Sequence, residues 1–193
     1  GALTDNRSAG APVAVMPAAD MLGEHARWCD SGGVEGQPSV FDGVDLRALK
    51  SITGLNLTAL SARGAVFYGL DMAGVQLQGA HLEDADLRSA NLQGADLRGA
   101  RLTRARLNGA DMRGAQLGPL MLAVDRLLPA DLTGACLRGV DLTGADLRRA
   151  VLDGADLSRA ILHGAQMRQA ELGSAILIGV RGMQAPEAPE AAA

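Results

Sequence analysis

From Leu55 onward the chain repeats leucine, or a near-equivalent, every fifth residue, and that spacing constrains its fold more than any other feature. The series runs through Leu77, Leu82, Leu87, Leu92, Leu97, Leu102, Leu107, Met112 and Leu117. It resumes from Leu132 to Leu162 and continues with Met167, Leu172 and Leu177. On an α-helix a five-residue step rotates by about 140°, which would spread the leucines over every face. On a strand they would alternate sides. The backbone must therefore turn once per repeat.

Alanine sits two residues before most of these leucines, as at Ala80, Ala85, Ala90, Ala95 and Ala100. Glycine follows two residues after many of them, as at Gly94, Gly99, Gly109, Gly114, Gly134 and Gly144. In a short extended piece, residues two apart point the same way, so Ala and Leu face inward while the residue between them faces out. Glycine then makes the corner. Composition agrees: 48% of residues are hydrophobic but only 2% are aromatic, which fits a narrow interior of constant bore, with Phe41 and Phe67 as its larger fillers near the N-terminal end.

The resulting pattern, Ala-(Asp/Asn)-Leu-x-Gly, seen in Ala90-Asn91-Leu92-Gln93-Gly94 and Ala95-Asp96-Leu97-Arg98-Gly99, resembles the pentapeptide-repeat family. The resemblance implies an all-β fold, a right-handed quadrilateral β-helix (solenoid) of about seven coils. Residues twenty apart would stack at roughly 4.8 Å. A short N-terminal capping helix is expected from Asp20 to Asp30, where Met21, Leu22, His25 and Trp28 share one side, Asp20 is a candidate N-cap and Gly32-Gly33 is the stop. The stretch from His25 to Trp28 and on through Gly33 also resembles the leader that precedes the repeats in other family members. The expected organisation is a flexible segment 1–17, a capping helix 18–33, a repeat body 38–182 and a disordered Pro/Ala/Glu-rich tail 183–193.

Two places break the rhythm. Leu55 follows Leu49 by six residues rather than five, which predicts a bulge or widened corner near Ser51 to Gly54. Residues 118–129 lose the inward alanine, with Leu120 and Asp125 in its place, and carry Pro119 and Pro129 where glycine belongs. Because the phase of five survives, Leu122 and Leu127 would fall on the central position if the segment stayed in the coil as two degenerate pentapeptides. The alternative is a loop or helical turn projecting from a face. Either way Met121, Val124 and Leu128 are expected near the surface.

Charge is distributed unevenly. Between Val44 and Arg181 there are 16 basic and 14 acidic residues, while the flanks hold two basic and eight acidic ones. A body so close to neutral speaks against direct nucleic-acid binding. On a strict twenty-residue coil Asp71, Asn91, Asp111 and Asp131 would stack, with a structural role in accepting backbone N–H groups at the corners. Tyr68, Arg88, Asn108, Leu128, Arg148 and Arg168 would form a second column, with Arg149 and Arg159 nearby, as solvated residues balancing the aspartates or as a surface for an acidic partner.

No catalytic, metal or cofactor site is expected. His25, His81 and His163 are isolated, Cys29 and Cys136 are too far apart for a zinc knuckle or redox pair, and Gly32-Gly33-Val34-Glu35-Gly36 lacks the features of a phosphate loop. No run approaches the ~18 apolar residues of a membrane span, and the start of the sequence lacks the basic region of a signal peptide. A cytoplasmic bacterial protein is the expectation.

The functional expectation is a non-enzymatic protein–protein interaction or scaffold module. Its candidate partner-binding residues are Met121, Val124, Arg126, Leu128, Arg88, Arg148 and Arg168. Ile161, Ile176 and Ile178 are candidates for a cap or homodimer contact at the C-terminal coil. The alternative that the resemblance implies is a DNA-mimicking binder of type II topoisomerase (DNA gyrase), for which a markedly acidic body would be needed.

Overall fold

The computed structural model describes residues 16–184. Its body is a square solenoid built from parallel one-residue rungs. The first face stacks Val40, Ser61, His81, Arg101, Asp131, Val151 and Glu171, and the fourth stacks Asn56, Gln76, Asp96, Gln116, Asp146 and Gln166. Three faces carry seven rungs and the fourth carries six, so the ladder makes just under seven coils.

Each pentapeptide spends its backbone polar groups in the same way. Leu97 N–H donates to the carbonyl of Gln116 in the next coil (2.7 Å), and Gln116 N–H returns a bond to Ala95 (2.9 Å). Ala95 N–H closes the turn on Leu92 (3.0 Å), while Gly94 N–H reaches Arg113 across the coil boundary (3.0 Å). Repeated around the square, this scheme pairs the amides of the isolated rungs with the neighbouring coils. Inside, the Ala and Leu positions from Leu57 to Leu162 are fully buried, with Phe41 and Phe67 filling the first coils.

The outward aspartates do structural work. Oδ1 of Asp96, Asp111 and Asp146 accepts the N–H of the residue two ahead, and the arginine there wraps back onto the same carboxylate, as with Arg98 Nη2 to Asp96 Oδ2 at 2.6 Å. Asp131, Asp141 and Asp156 make the same backbone contact with Thr133, Thr143 and Ser158.

The helix α1 (Ala18–Asp30) covers the open N-terminal coil. Its N-cap is Pro17, not Asp20, which lies in the first turn where a negative charge suits the helix dipole. Leu22, His25 and Ala26 are buried beneath it, whereas Met21 and Trp28 are half-buried. The helix ends at Asp30, and Gly33 N–H closes on Trp28. His25 pins it to the coil. Ser39 N–H donates to Nδ1 (3.1 Å), so Nε2 carries the hydrogen and donates to the Thr58 carbonyl (3.0 Å).

The extra residue before Leu55 lies earlier than Ser51. It is taken up by a 3-10 turn at Arg47–Leu49, with Lys50 at φ 62°. The rungs Asp45 to Val66 and Ser51 to Asp71 bracket the change from a 21-residue to a 20-residue coil. A turn absorbs the residue because the rungs on either side are fixed by their neighbours. The expected flexible segment and tail fall mostly outside the described residues.

Two outcomes follow from these contacts. His25→Ala leaves the Ser39 N–H without its partner and the Thr58 carbonyl with only the weak Cys29 thiol (3.5 Å), which should lower unfolding stability in urea by about 1–3 kcal/mol; an unchanged midpoint would remove the pin. The second concerns acid. Hydrogen bonds from neighbouring arginines hold Asp45, Asp84, Asp86, Asp111 and Asp146 below the usual carboxylate range, Asp45 to about 2, while Ser61 and Ser158 do the same for Asp42 and Asp156. Folded values below the unfolded ones mean that their contribution is complete above about pH 4 and lost as pH falls through the folded values. Melting temperature should therefore be level from pH 7 to about 5 and fall between about pH 4 and 2, a profile that a series of thermal melts would reveal or refute.

Candidate interaction surface

Within residues 118–129 the chain leaves the solenoid. Across them the rungs jump by thirty residues instead of twenty, as in Arg101 to Asp131 and Gln116 to Asp146, so ten residues are extruded. They form an antiparallel hairpin of β1 (Leu120–Ala123) and β2 (Arg126–Leu128), pairing Leu120 with Leu128 and Met121 with Leu127. Pro119 and Pro129 sit at the exit and re-entry points of one corner, where a missing N–H costs nothing because the coil has been left. The in-coil alternative for this segment is corrected accordingly. Leu122 and Leu127 are exposed instead of occupying the central core position.

The hairpin lies on glycine. A Cβ at Gly99 would come within 2.8 Å of Leu120 Cβ and 3.2 Å of Leu128 Cδ2, and one at Gly79 would lie 3.7 Å from Leu120 Cδ2. Gly99 also has φ +66°, so this corner serves both as a left-handed turn and as the floor of a close approach. Leu120 and Leu128 are consequently half-buried at the root. Met121 (68% exposed), Leu122 and Val124 (90% exposed) project outward, and Arg126 is exposed beside them with no ion pair among the described residues.

The extrusion corrects both proposed columns. Asp71, Asn91 and Asp111 are followed by Asp141, while Asp131 belongs to the first face beneath Arg101. The second column also divides. Tyr68, Arg88 and Asn108 continue to Arg138, with Arg88 lying over the Tyr68 ring at 5.1 Å from its centroid. Arg148 and Arg168 belong to the neighbouring side with Arg98 and Gly118, and Leu128 leaves with the hairpin. Arg88 and Arg148 are locked on Asp86 and Asp146, each at 2.7 Å.

Beside the hairpin root the solenoid forms two shallow adjoining grooves. One, about 220 Å³, is lined by Pro119, Leu127, Pro129, Arg149, Gln169 and Glu171; the other, about 370 Å³, is bounded by Pro119, Arg148, Arg149, Arg168 and Gln169. The residue pattern did not signal Arg149 and Gln169 as neighbours of the hairpin, because the corner they share appears only once the ten extruded residues are removed from the count. Also hidden was a polar network across the first coils, in which Asp42 accepts from Ser61 (2.7 Å) and Arg63 links Glu83 (2.7 Å) to His81 (3.2 Å).

The remaining candidates lie apart. At the C-terminal end Ile176 and Ile178 (74% exposed) stand on the second side with Leu177 and Met183 exposed nearby, whereas Ile161 is half-buried on the third face between Asp141 and Arg181. Cys29 and Cys136 are both unbridged, and burial followed by the Asp30 charge pushes the Cys29 thiol up. Among the described residues no group of three or more His, Cys, Asp or Glu side chains is placed to hold a metal, and no helix is long and apolar enough to cross a membrane.

A family model described as pentapeptide repeats matches eight copies, over residues 80–117 and 135–173, and leaves out the hairpin. No curated protein matches. Among solved structures, a trypsin-treated form of QnrB1, a plasmid-mediated fluoroquinolone resistance protein, is 19% identical over 75% of this chain and 67% of its own, with a TM-score of 0.58. HetL, a pentapeptide repeat protein involved in heterocyst differentiation regulation from the cyanobacterium Nostoc sp. strain PCC 7120, is 33% identical over 67% of this chain and 60% of its own, with a TM-score of 0.30. The matched copies coincide with the Ala-x-Leu rungs on both sides of the hairpin, so the solenoid is built of pentapeptide repeats, and its structural likeness is to a right-handed β-helix.

Proposed function

We propose that this protein is a non-enzymatic, cytoplasmic interaction module that docks a protein partner through the 120–128 hairpin. The observation carrying this reading is the hairpin tip, where Met121, Leu122 and Val124 are exposed on an element whose root is seated on Gly79 and Gly99. Apolar side chains held clear of the surface by a rigid base suit insertion into a partner's pocket, because little conformational freedom is left to lose on binding. Arg126 adds a cation at the rim. Among the described residues the convex faces, with many of their aspartates closed on backbone and arginine, offer only shallow grooves and no grouping of a nucleophile with a base.

Met121→Ser/Val124→Ser should leave the unfolding midpoint within about 0.5 kcal/mol, since both side chains are exposed, and should abolish affinity capture of the partner from bacterial lysate. Equal capture by both proteins would sink the reading. Type II topoisomerase in the eluate, with a change in supercoiling by the purified enzyme, would favour the DNA-mimic alternative instead.

A second contact is favoured by the apolar C-terminal coil, where Ile176, Leu177, Ile178 and Met183 are exposed together. We assign to this end a homodimer contact. Sedimentation should show a dimer that Ile176→Glu/Ile178→Glu converts to monomer, and a wild-type monomer at ~100 μM, a concentration that would populate contacts worth about 6 kcal/mol, would exclude it.

A further inference from the structure

The geometry points to a carboxylate-binding groove between the hairpin root and the C-terminal coils, built on Arg149 and Arg168 and suited to an extended acidic peptide segment of a partner. It rests on the reading of the hairpin as a docking element and supplies the chemistry of the partner.

The repeat's own logic shows why these two arginines lack a carboxylate. Elsewhere an arginine two residues after an aspartate folds back on it, as Arg98, Arg113 and Arg148 do. Arg168 follows Gln166-Met167, so the carboxylate is replaced by an amide. Arg149 comes one residue after Arg148, which has already taken Asp146. The corner arginine Arg104 finds Asp84 one coil away (3.0 Å). At Arg149's corner the preceding coil is interrupted by the hairpin, and the following coil offers Gln169. Neither Arg149 nor Arg168 makes an ion pair among the described residues, which holds also for Lys50, Arg101, Arg106, Arg126, Arg159 and Arg181, but these two are the unpaired cations that line one groove.

The two are neighbours in space. Arg149 N–H donates to the Arg168 carbonyl (2.9 Å), and both side chains line one groove with Gln169. Arg149 and Gln169 also occupy left-handed corners at φ 59° and 58°, where glycine would be cheaper. Among the described residues the only other such stack, Asp84 on Arg104, is an ion pair. At Arg149 and Gln169 the strained corners instead present a guanidinium and an amide to the groove. Pro119 bounds this groove and, with Leu127 and Pro129, forms the apolar wall of the adjoining one, which Arg149 and Gln169 also line; Glu171 lines that second groove without an ion pair to either arginine.

A cationic floor beside an apolar wall matches a strand whose side chains alternate acidic and apolar, since alternate residues of an extended chain face opposite sides. Guanidinium forks grip carboxylates in a planar, two-pronged manner. Nucleic acid is disfavoured because the surrounding faces carry nearly as many acidic as basic groups and the groove has no aromatic side chain on which to stack bases.

The test is fluorescence anisotropy with a labelled hexapeptide of alternating glutamate and leucine, its glutamine counterpart, and a short DNA duplex, each titrated with the full chain at low ionic strength. The glutamate peptide should bind at least about tenfold more tightly than the glutamine peptide, and Arg149→Ala/Arg168→Ala should remove that preference. Arg47→Ala/Arg113→Ala removes the same charge elsewhere and should leave it intact. Thermal melts of both variants establish that they fold. Absence of a glutamate preference, equal loss in the two variants, or tighter binding of the duplex through the same arginines overturns the proposal. Met121→Ser/Val124→Ser separates the two readings: loss of partner capture with no glutamate preference refutes the groove alone, and a glutamate preference with undiminished capture refutes the hairpin alone.

Discussion

Everything in this molecule hangs on the bond that each central residue donates across the coil boundary, such as Leu97 N–H to the Gln116 carbonyl. Its geometry fixes the spacing of the coils, and that spacing fixes how little volume each rung can enclose. Alanine is then required beside leucine, because a second large side chain would overfill a bore already closed by backbone on four sides. The corners inherit the same demand: the chain must reverse within two residues, which is why so many left-handed glycines accompany the rungs.

Charge follows from this backbone rather than from an independent design. An outward aspartate accepts the N–H two residues ahead and so closes the corner, and an arginine at that next position lies within reach of the same carboxylate. Exposed pairs of this kind contribute roughly 0–1 kcal/mol each. Their larger effect is to tie these aspartates and arginines to one another at each corner.

The period, the inward Ala and Leu, the capping helix and the role of the aspartates were all legible in the residues, because each follows from local spacing. What escaped was register. Ten residues are a multiple of five, so the leucine phase runs unbroken through the hairpin, and Leu122 and Leu127 mimic core positions that they do not occupy. The loss of inward alanine at Leu120 and Asp125 was the available sign, together with proline where glycine belongs at 119 and 129. Mistaking the register by half a coil placed Arg148 and Arg168 under Leu128 and concealed their meeting with Arg149 at the hairpin root. The six-residue step before Leu55 was visible too, but the turn at Arg47–Leu49 absorbs it upstream of the expected place, since a corner yields more readily than a rung.

The hairpin's length has a consequence for how such a chain can change. An excursion of two whole repeats begins and ends at the same corner, so the coil before it and the coil after it meet as though nothing had intervened. Gain, loss or replacement of the excursion leaves every core contact beyond its seat untouched, and the solenoid becomes a chassis on which recognition elements can be exchanged by recombination without a new fold having to be found.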